Sequence, residues 1–424
     1  MSFAHGVLMM AAAVASLGSL CADAAIASDE PEQASSAEAA RSQSDPERRP
    51  NVLLYVVCSL RADGLGNYGN FRARTPNADA LGHDGTLFVN SYAPSSWTRA
   101  SLGSILTGMY PDVHRAQDRN DALADSATLL SERFAERGWT TGAIITSLNV
   151  GSFYGFSQGF GDFVELYDRR RRGFVSAWEQ TTRSDQATQQ ATRWIDAAAR
   201  PFLLLVVTVD PHWPYDPLAK MRRRKGDDLI PGQKDGLEYT RVDFERTRAM
   251  YQAQVEFTDS SFGKLLDHLR AEQLYDDTIV VFTSDHGEEF GERDRSLHGE
   301  TLYEESLRVP LIIRYPKGMP VAARIERPAL LVDIAPTVLE LAGLAGDDTF
   351  DGSSLTPGHE AVERSFYATL DLDRNHVKAI TRYPWKLIWN QRTDELQLFN
   401  LQLDEQELWN LVRKHPRLAR RLRA

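Results

Sequence analysis

Cysteine is nearly absent from this chain of 424 residues, which holds only Cys21 and Cys58. If the first residues are removed on export, Cys58 is left as the one thiol, no internal disulfide can form, and stability must come from a packed core. Positive charge is also short, with 48 Lys and Arg against 59 Asp and Glu and a net charge of −11, which excludes a nucleic-acid partner that would need a basic stripe. Basic runs at Arg169–Arg172, Arg222–Lys225 and Arg413–Arg423 read as solvated faces, or as a pocket rim that attracts an anion. Long apolar runs are missing too. The longest near the start, Gly6–Leu17, is too short to anchor the chain across a bilayer.

That run ends in small residues, and Ala22-Asp-Ala24 offers the small-x-small pattern of secretory cleavage, although only His5 precedes it as a weak base. Residues 1–24 are therefore expected to be a signal peptide of an exported protein, periplasmic or secreted, with membrane contact only through export. Leu20 precedes Cys21 where a lipobox would need a small residue, so a lipid anchor has no support. Residues 25–49 are rich in Ala, Ser, Glu, Gln and Asp without apolar periodicity, and read as a disordered linker.

From Pro50 onward apolar runs alternate with helical patterns. Asn51–Val57, Thr140–Ile145, Phe202–Val207 and Thr278–Phe282 read as buried strands, and Thr128–Gly138, Gln189–Ala199 and Thr247–Leu274 as the helices between them. This predicts an α/β fold with a mostly parallel central sheet sandwiched by helices over residues 50–360. After Ser365 the runs shorten, Phe366–Leu370 and Trp385–Trp389, and predict a small C-terminal antiparallel sheet and a tail helix over 361–424.

Strand Thr278–Phe282 leads into Thr283-Ser-Asp-His-Gly287, so Asp285 and His286 stand where a parallel strand ends, offering two metal ligands from one turn. Glu288, Glu289, Gly291, Glu292 and Leu297-His-Gly299 follow, then Tyr303-Glu-Glu305 and a strand from Arg308 to Ile313. Upstream lie Ser59-Leu-Arg-Ala-Asp63, Gly66-Asn-Tyr-Gly69, Arg74–Leu81, Ser95-Ser-Trp-Thr-Arg-Ala-Ser-Leu102 before Leu106-Thr-Gly-Met-Tyr-Pro111, and Asp210-Pro-His-Trp-Pro-Tyr215. Pro384–Ile388 and Leu398–Glu407 with Asn410-Leu411 close the series as a hairpin pattern. In type and order these motifs resemble the sulfatase family of the alkaline-phosphatase superfamily.

The resemblance implies that Asp285 and His286 bind a divalent metal, calcium or magnesium, and that His212 and His298 hold the ester's charged oxygens or protonate the leaving group. It also implies a nucleophile at a helix N-terminus, and here the chain departs. The family's Cys/Ser-x-Pro-Ser-Arg is missing. Counting back ten residues from Gly108 reaches Thr98, which cannot become formylglycine but matches the threonine nucleophile of phosphoryl-transferring relatives. A second register places Ser95 there, with Trp97 where Pro belongs. Thr98 also suits a plain helix N-cap.

The other departure is Cys58, which stands where the family has Asp. A thiol with Asp285 and His286 favours zinc or manganese over a hard cation, while Cys58 also reads as a small buried residue ending a strand. Arg61 and Asp63 either orient the site or form an ion pair within one turn. Two functions follow: a metal-assisted hydrolase of sulfate or phosphate esters on small molecules or glycans, including a threonine-nucleophile phosphoester hydrolase or transferase, or a catalytically impaired relative that binds sulfated or phosphorylated glycans.

Overall fold

The computed structural model describes residues 49–167, 183–213, 215, 241–319, 324–344, 350–357, 359 and 364–424. The expected signal peptide, the expected linker up to residue 48, and the basic runs at 169–172 and 222–225 lie outside them.

The main sheet is built from β1 (Asn51–Val57), β2 (Thr86–Tyr92), β3 (Thr140–Ile145), β4 (Asp162–Glu165), β5 (Phe202–Thr208) and β6 (Thr278–Thr283). After a two-residue ribbon, β7 (Glu289–Phe290) and β8 (Ser296–Leu297), come β9 (Arg308–Arg314), β10 (Arg324–Ile325) and β11 (Ala329–Leu330). The order is β10-β2-β9-β6-β1-β5-β3-β4, with β11 also on β2. β6, β1, β5, β3 and β4 run parallel, while β9 is antiparallel to both β6 and β2. The reversal has a simple cause. After β6 the chain stays at that edge of the sheet through residues 284–307 and re-enters from there.

Strands β1, β5 and β6 are buried along their whole length, which is why they read as unbroken apolar runs. Their side chains alternate between two cores. Leu53, Tyr55 and Val57 pack with Phe202, Leu204, Phe282 and the helix residues Ala187, Ala191, Leu265 and Leu269. Val52, Leu54, Val56 and Cys58 face Leu102, Ile105, Phe134 and Val338 on the other side. The helices Leu130–Glu136, Ser184–Ala197 and Arg241–Ala271 occupy the predicted stretches.

The C-terminal sheet comprises β12 (Phe366–Leu372), β13 (Asn375–Arg382), β14 (Trp385–Asn390) and β15 (Glu395–Asn400), paired antiparallel in that order. Leu370, Val377, Ala379, Ile388 and Phe399 join the core shared with the main sheet. On the opposite face, Leu387 and Leu398 are covered by Ala419 of the terminal helix Pro416–Arg423. Lys386, 1 % exposed, fastens the two sheets: its Nζ lies 2.9 Å from both Glu304, just before β9, and Glu407.

Candidate active site

Because β1, β5 and β6 are adjacent and parallel, the loops that follow them emerge at one edge of the sheet. Hydrogen bonds lock two of these loops together. Ser284 Oγ accepts from the Leu60 N–H at 2.9 Å and donates to the His286 carbonyl at 2.7 Å. Asp285 Oδ1 accepts from the N–H groups of Ser59 at 3.0 Å and His286 at 2.9 Å. Ser59 reaches that position with φ 61°, a conformation non-glycine residues seldom adopt. Arg61 adds a further tie. Its guanidinium pairs with Asp63 at 2.8 Å and Glu292 at 2.6 Å and donates to the Glu288 carbonyl at 2.9 Å, so it shapes the loop and has no contact with the reacting groups among these bonds.

His286 lies fully buried with Nδ1 2.8 Å from the Gly287 carbonyl. A carbonyl only accepts, so Nδ1 carries the proton and Nε2 keeps its lone pair. That nitrogen is 3.1 Å from the Thr98 hydroxyl and 3.4 Å from Asp285 Oδ2. Asp285 Oδ2 is buried and accepts no hydrogen bond among the described residues.

Thr98 is the first residue of the helix Thr98–Thr107, capped by Trp97 without a side-chain hydrogen bond. The first helical bond is donated by Ser101 to the Trp97 carbonyl, which leaves the N–H groups of Thr98, Arg99 and Ala100 without helical acceptors beside the hydroxyl. Arg99 turns away, donating to the carbonyls of Asn149, Asp118, Arg119 and Asp121 and stacking 3.4 Å above Tyr154. The competing Ser95 has a buried hydroxyl with no partner among the described residues.

Two more imidazoles complete the cluster. The His298 ring centroid is 4.3 Å from that of His286 and 4.9 Å from that of His212. His298 Nδ1 is 2.9 Å from Glu288 Oε1, and His212 Nδ1 is 2.7 Å from the Trp213 carbonyl, so a polar partner orients each ring. Burial pulls the pKa of each down to about 4; for His212 the neighbouring imidazoles add to this, and for His298 Arg119 does. Burial lifts Glu288 to about 7.

A cation fits between Asp285 and His286. Ligand atoms on one metal at bonds of about 2.1 Å stand roughly 3.0–3.4 Å apart at octahedral to tetrahedral angles. The Oδ2–Nε2 separation of 3.4 Å matches, and Oδ2 is an orphaned buried acceptor. Cys58 sits beside Asp285, where burial and the carboxylate push its thiol well above its usual pKa. It forms no compact triad with the other two: among the described residues the group of ligand atoms all within 4.8 Å of one another is Asp196, His268 and Glu272, partly exposed at the surface.

Residues 50–344 match the family model described as Sulfatase, and residues 294–422 that described as N-sulphoglucosamine sulphohydrolase, C-terminal. The chain belongs to the sulfatase family. Members of this family generally use a divalent metal ion. An ulvan-active sulfatase of Formosa agariphila is 27 % identical over 74 % of this chain and 66 % of its own length. A choline-sulfatase of Rhizobium meliloti is 26 % identical over 87 % of this chain and 83 % of its own length. The fold matches that of the phosphonate monoester hydrolase of Agrobacterium radiobacter with a TM-score of 0.71 and 22 % identity, covering 88 % of this chain and 93 % of that one.

In this sulfatase-family chain the structure brings together Thr98, Asp285, His286, His212 and His298, the residues named from the sequence. The Glu288 side chain is not among them, although its place two residues after His286 was a usable signal.

Proposed function

We propose that this protein hydrolyses sulfate or phosphate esters with Thr98 as nucleophile and a divalent metal ion held by Asp285 and His286. The observation that carries this reading is the Thr98 hydroxyl 3.1 Å from the lone pair of His286, at the open N-terminus of a helix. Asp285 and His286 would hold the metal, which would supply the positive charge that lowers the pKa of the Thr98 hydroxyl. The free N–H groups of Thr98, Arg99 and Ala100 stabilise the anionic group as negative charge moves onto its oxygens. Nε2 of His298 or His212 delivers a proton to the leaving oxygen. Burial pulls the pKa of both imidazoles down to about 4, and an incoming anion offsets the burial cost of charging them.

Nitrogen in the donor set favours zinc or manganese over calcium. Cys58 is buried beside the Asp285 carboxylate. The apolar run within residues 1–24 supports export. No helix of the described residues is long and apolar enough to cross a membrane.

Thr98 also favours phosphate over sulfate, because a threonine ester, unlike a formylglycine adduct, can be released only by water attacking the phosphorus or sulfur itself. Assays of the purified protein on an aryl sulfate, a phosphate monoester and a phosphate diester, each across a panel of divalent metals, test the reading. Metal-dependent release of phosphate or sulfate is expected. No turnover on any of the three overturns it.

A further inference from the structure

Beyond His298 lies a line of side chains that the proposed chemistry leaves unused. Burial falls from His298, whose side chain is 4 % exposed, through Trp97 at 7 %, to Arg119 at 36 % and Asp373 at 56 %, so the line leads from the site to solvent. The Arg119 guanidinium sits 5.1 Å above the Trp97 ring, which is itself 6.2 Å from the His298 ring. Asp373 grips it with both oxygens, Nε to Oδ1 at 2.7 Å and Nη2 to Oδ2 at 2.8 Å.

Asp373 comes from the other sheet, in the two-residue turn between β12 and β13, where its φ is 59°. Its N–H donates to Asp118 Oδ1 at 3.0 Å. Next to it, Leu372 closes against Gly299: a Cβ on that glycine would stand 3.0 Å from Leu372 Cδ2 and 3.5 Å from Trp97 Cε3. Leu372, which leads into this turn, therefore packs against the residue that follows His298.

Two features point to a ligand here. Trp97 Nε1 is a buried donor without an acceptor among the described residues. Arg119 is a planar fork already holding a carboxylate in the bidentate geometry that carboxylates, sulfates and phosphates share. A half-exposed ion pair is weakened by water, so an incoming anion can exchange with Asp373.

We propose that Trp97, Arg119 and Asp373 form a second subsite that reads an additional anionic group on the substrate, so that the protein prefers esters on polyanionic molecules to isolated monoanions. This rests on the ester-hydrolase reading and names its substrate class.

The test compares a nitrophenyl ester, sulfate or phosphate, with the same ester bearing a ring carboxylate. For wild type the ratio of kcat/KM should favour the carboxylated ester. Arg119→Ala should lower that ratio at least tenfold, chiefly through KM, Arg119→Lys should recover part of it, and Asp373→Asn should raise it by freeing the fork. In parallel, 4-sulfobenzoate, which cannot be hydrolysed, should raise the melting temperature of wild type more than that of Arg119→Ala. A ratio within twofold of wild type in Arg119→Ala overturns the proposal. If no ester is turned over, the hydrolase reading fails, and equal stabilisation of both proteins by 4-sulfobenzoate then overturns the subsite as well.

Discussion

The hydroxyl of Thr98 and Nε2 of His286, 188 positions apart in the chain, stand 3.1 Å apart in a buried pocket. The separation is short because the helix that begins at Thr98 packs over the sheet with its N-terminus at the edge where β6 ends. Gly287 fixes which imidazole nitrogen is bare, and Ser59 and Ser284 fix the loop that carries it. The nitrogen proposed to hold the metal and the hydroxyl proposed as nucleophile are thus arranged by backbone hydrogen bonds more than by other polar side chains of the cluster.

His298→Ala should lower kcat by about 10²- to 10⁴-fold if the ring donates the leaving-group proton. Glu288→Gln should cost less, roughly 10-fold, because an amide oxygen still accepts from Nδ1. Leaving-group dependence checks the role: the loss in His298→Ala should shrink on esters whose leaving group needs no proton.

Cys58→Asp should move the metal preference towards magnesium or calcium, since it adds a hard oxygen beside Asp285. Elemental analysis after purification without chelators, on wild type and variant, checks this. Zinc or manganese is expected in the wild type, and calcium there would contradict the reading.

Lys386→Met should destabilise the fold by about 3–5 kcal/mol, because it leaves Glu304 and Glu407 facing each other without a cation. Urea unfolding measures it. The added double change Glu407→Gln should return part of the loss, since burial already lifts the Glu407 pKa to about 7.

Asp210 gives a pH test. Burial raises its carboxyl from 3.8 to about 7, while its Oδ2 accepts from the Ser184 N–H at 2.9 Å. A carboxyl whose folded pKa is raised binds its proton more tightly in the folded chain, so stability falls as pH rises from about 4 to about 7. The cost reaches up to about 4 kcal/mol above that window. Asp210→Asn keeps an acceptor for Ser184 without the charge. Its melting temperature relative to wild type should climb between pH 5 and pH 8, and a difference independent of pH would contradict this.

Much of this was legible in the sequence, for physical reasons that also set the limit. Buried parallel strands such as Phe202–Thr208 are apolar throughout, and their ends are marked by the first polar residues, so Asp285, His286 and His212 could be placed at one edge. Thr98 could be reached only through the spacing of its family, because nothing local ties a threonine to a histidine so far along the chain. The reversed direction of β9 had no signal, since strand direction depends on where the preceding loop runs. Arg119 and Asp373 meet across 254 positions through the docking of one sheet on another, and no periodicity reports that.

The proposed reaction turns on Thr98 taking the transferred group. Mixing enzyme with excess of a turned-over ester, quenching in acid within the first turnovers and mapping the peptides by mass spectrometry tests it most directly. One phosphoryl or sulfuryl group is expected on Thr98, absent from Thr98→Ala, which should lose at least about 10³-fold in kcat while retaining metal. The modification on Ser95, or turnover persisting in Thr98→Ala, would contradict it.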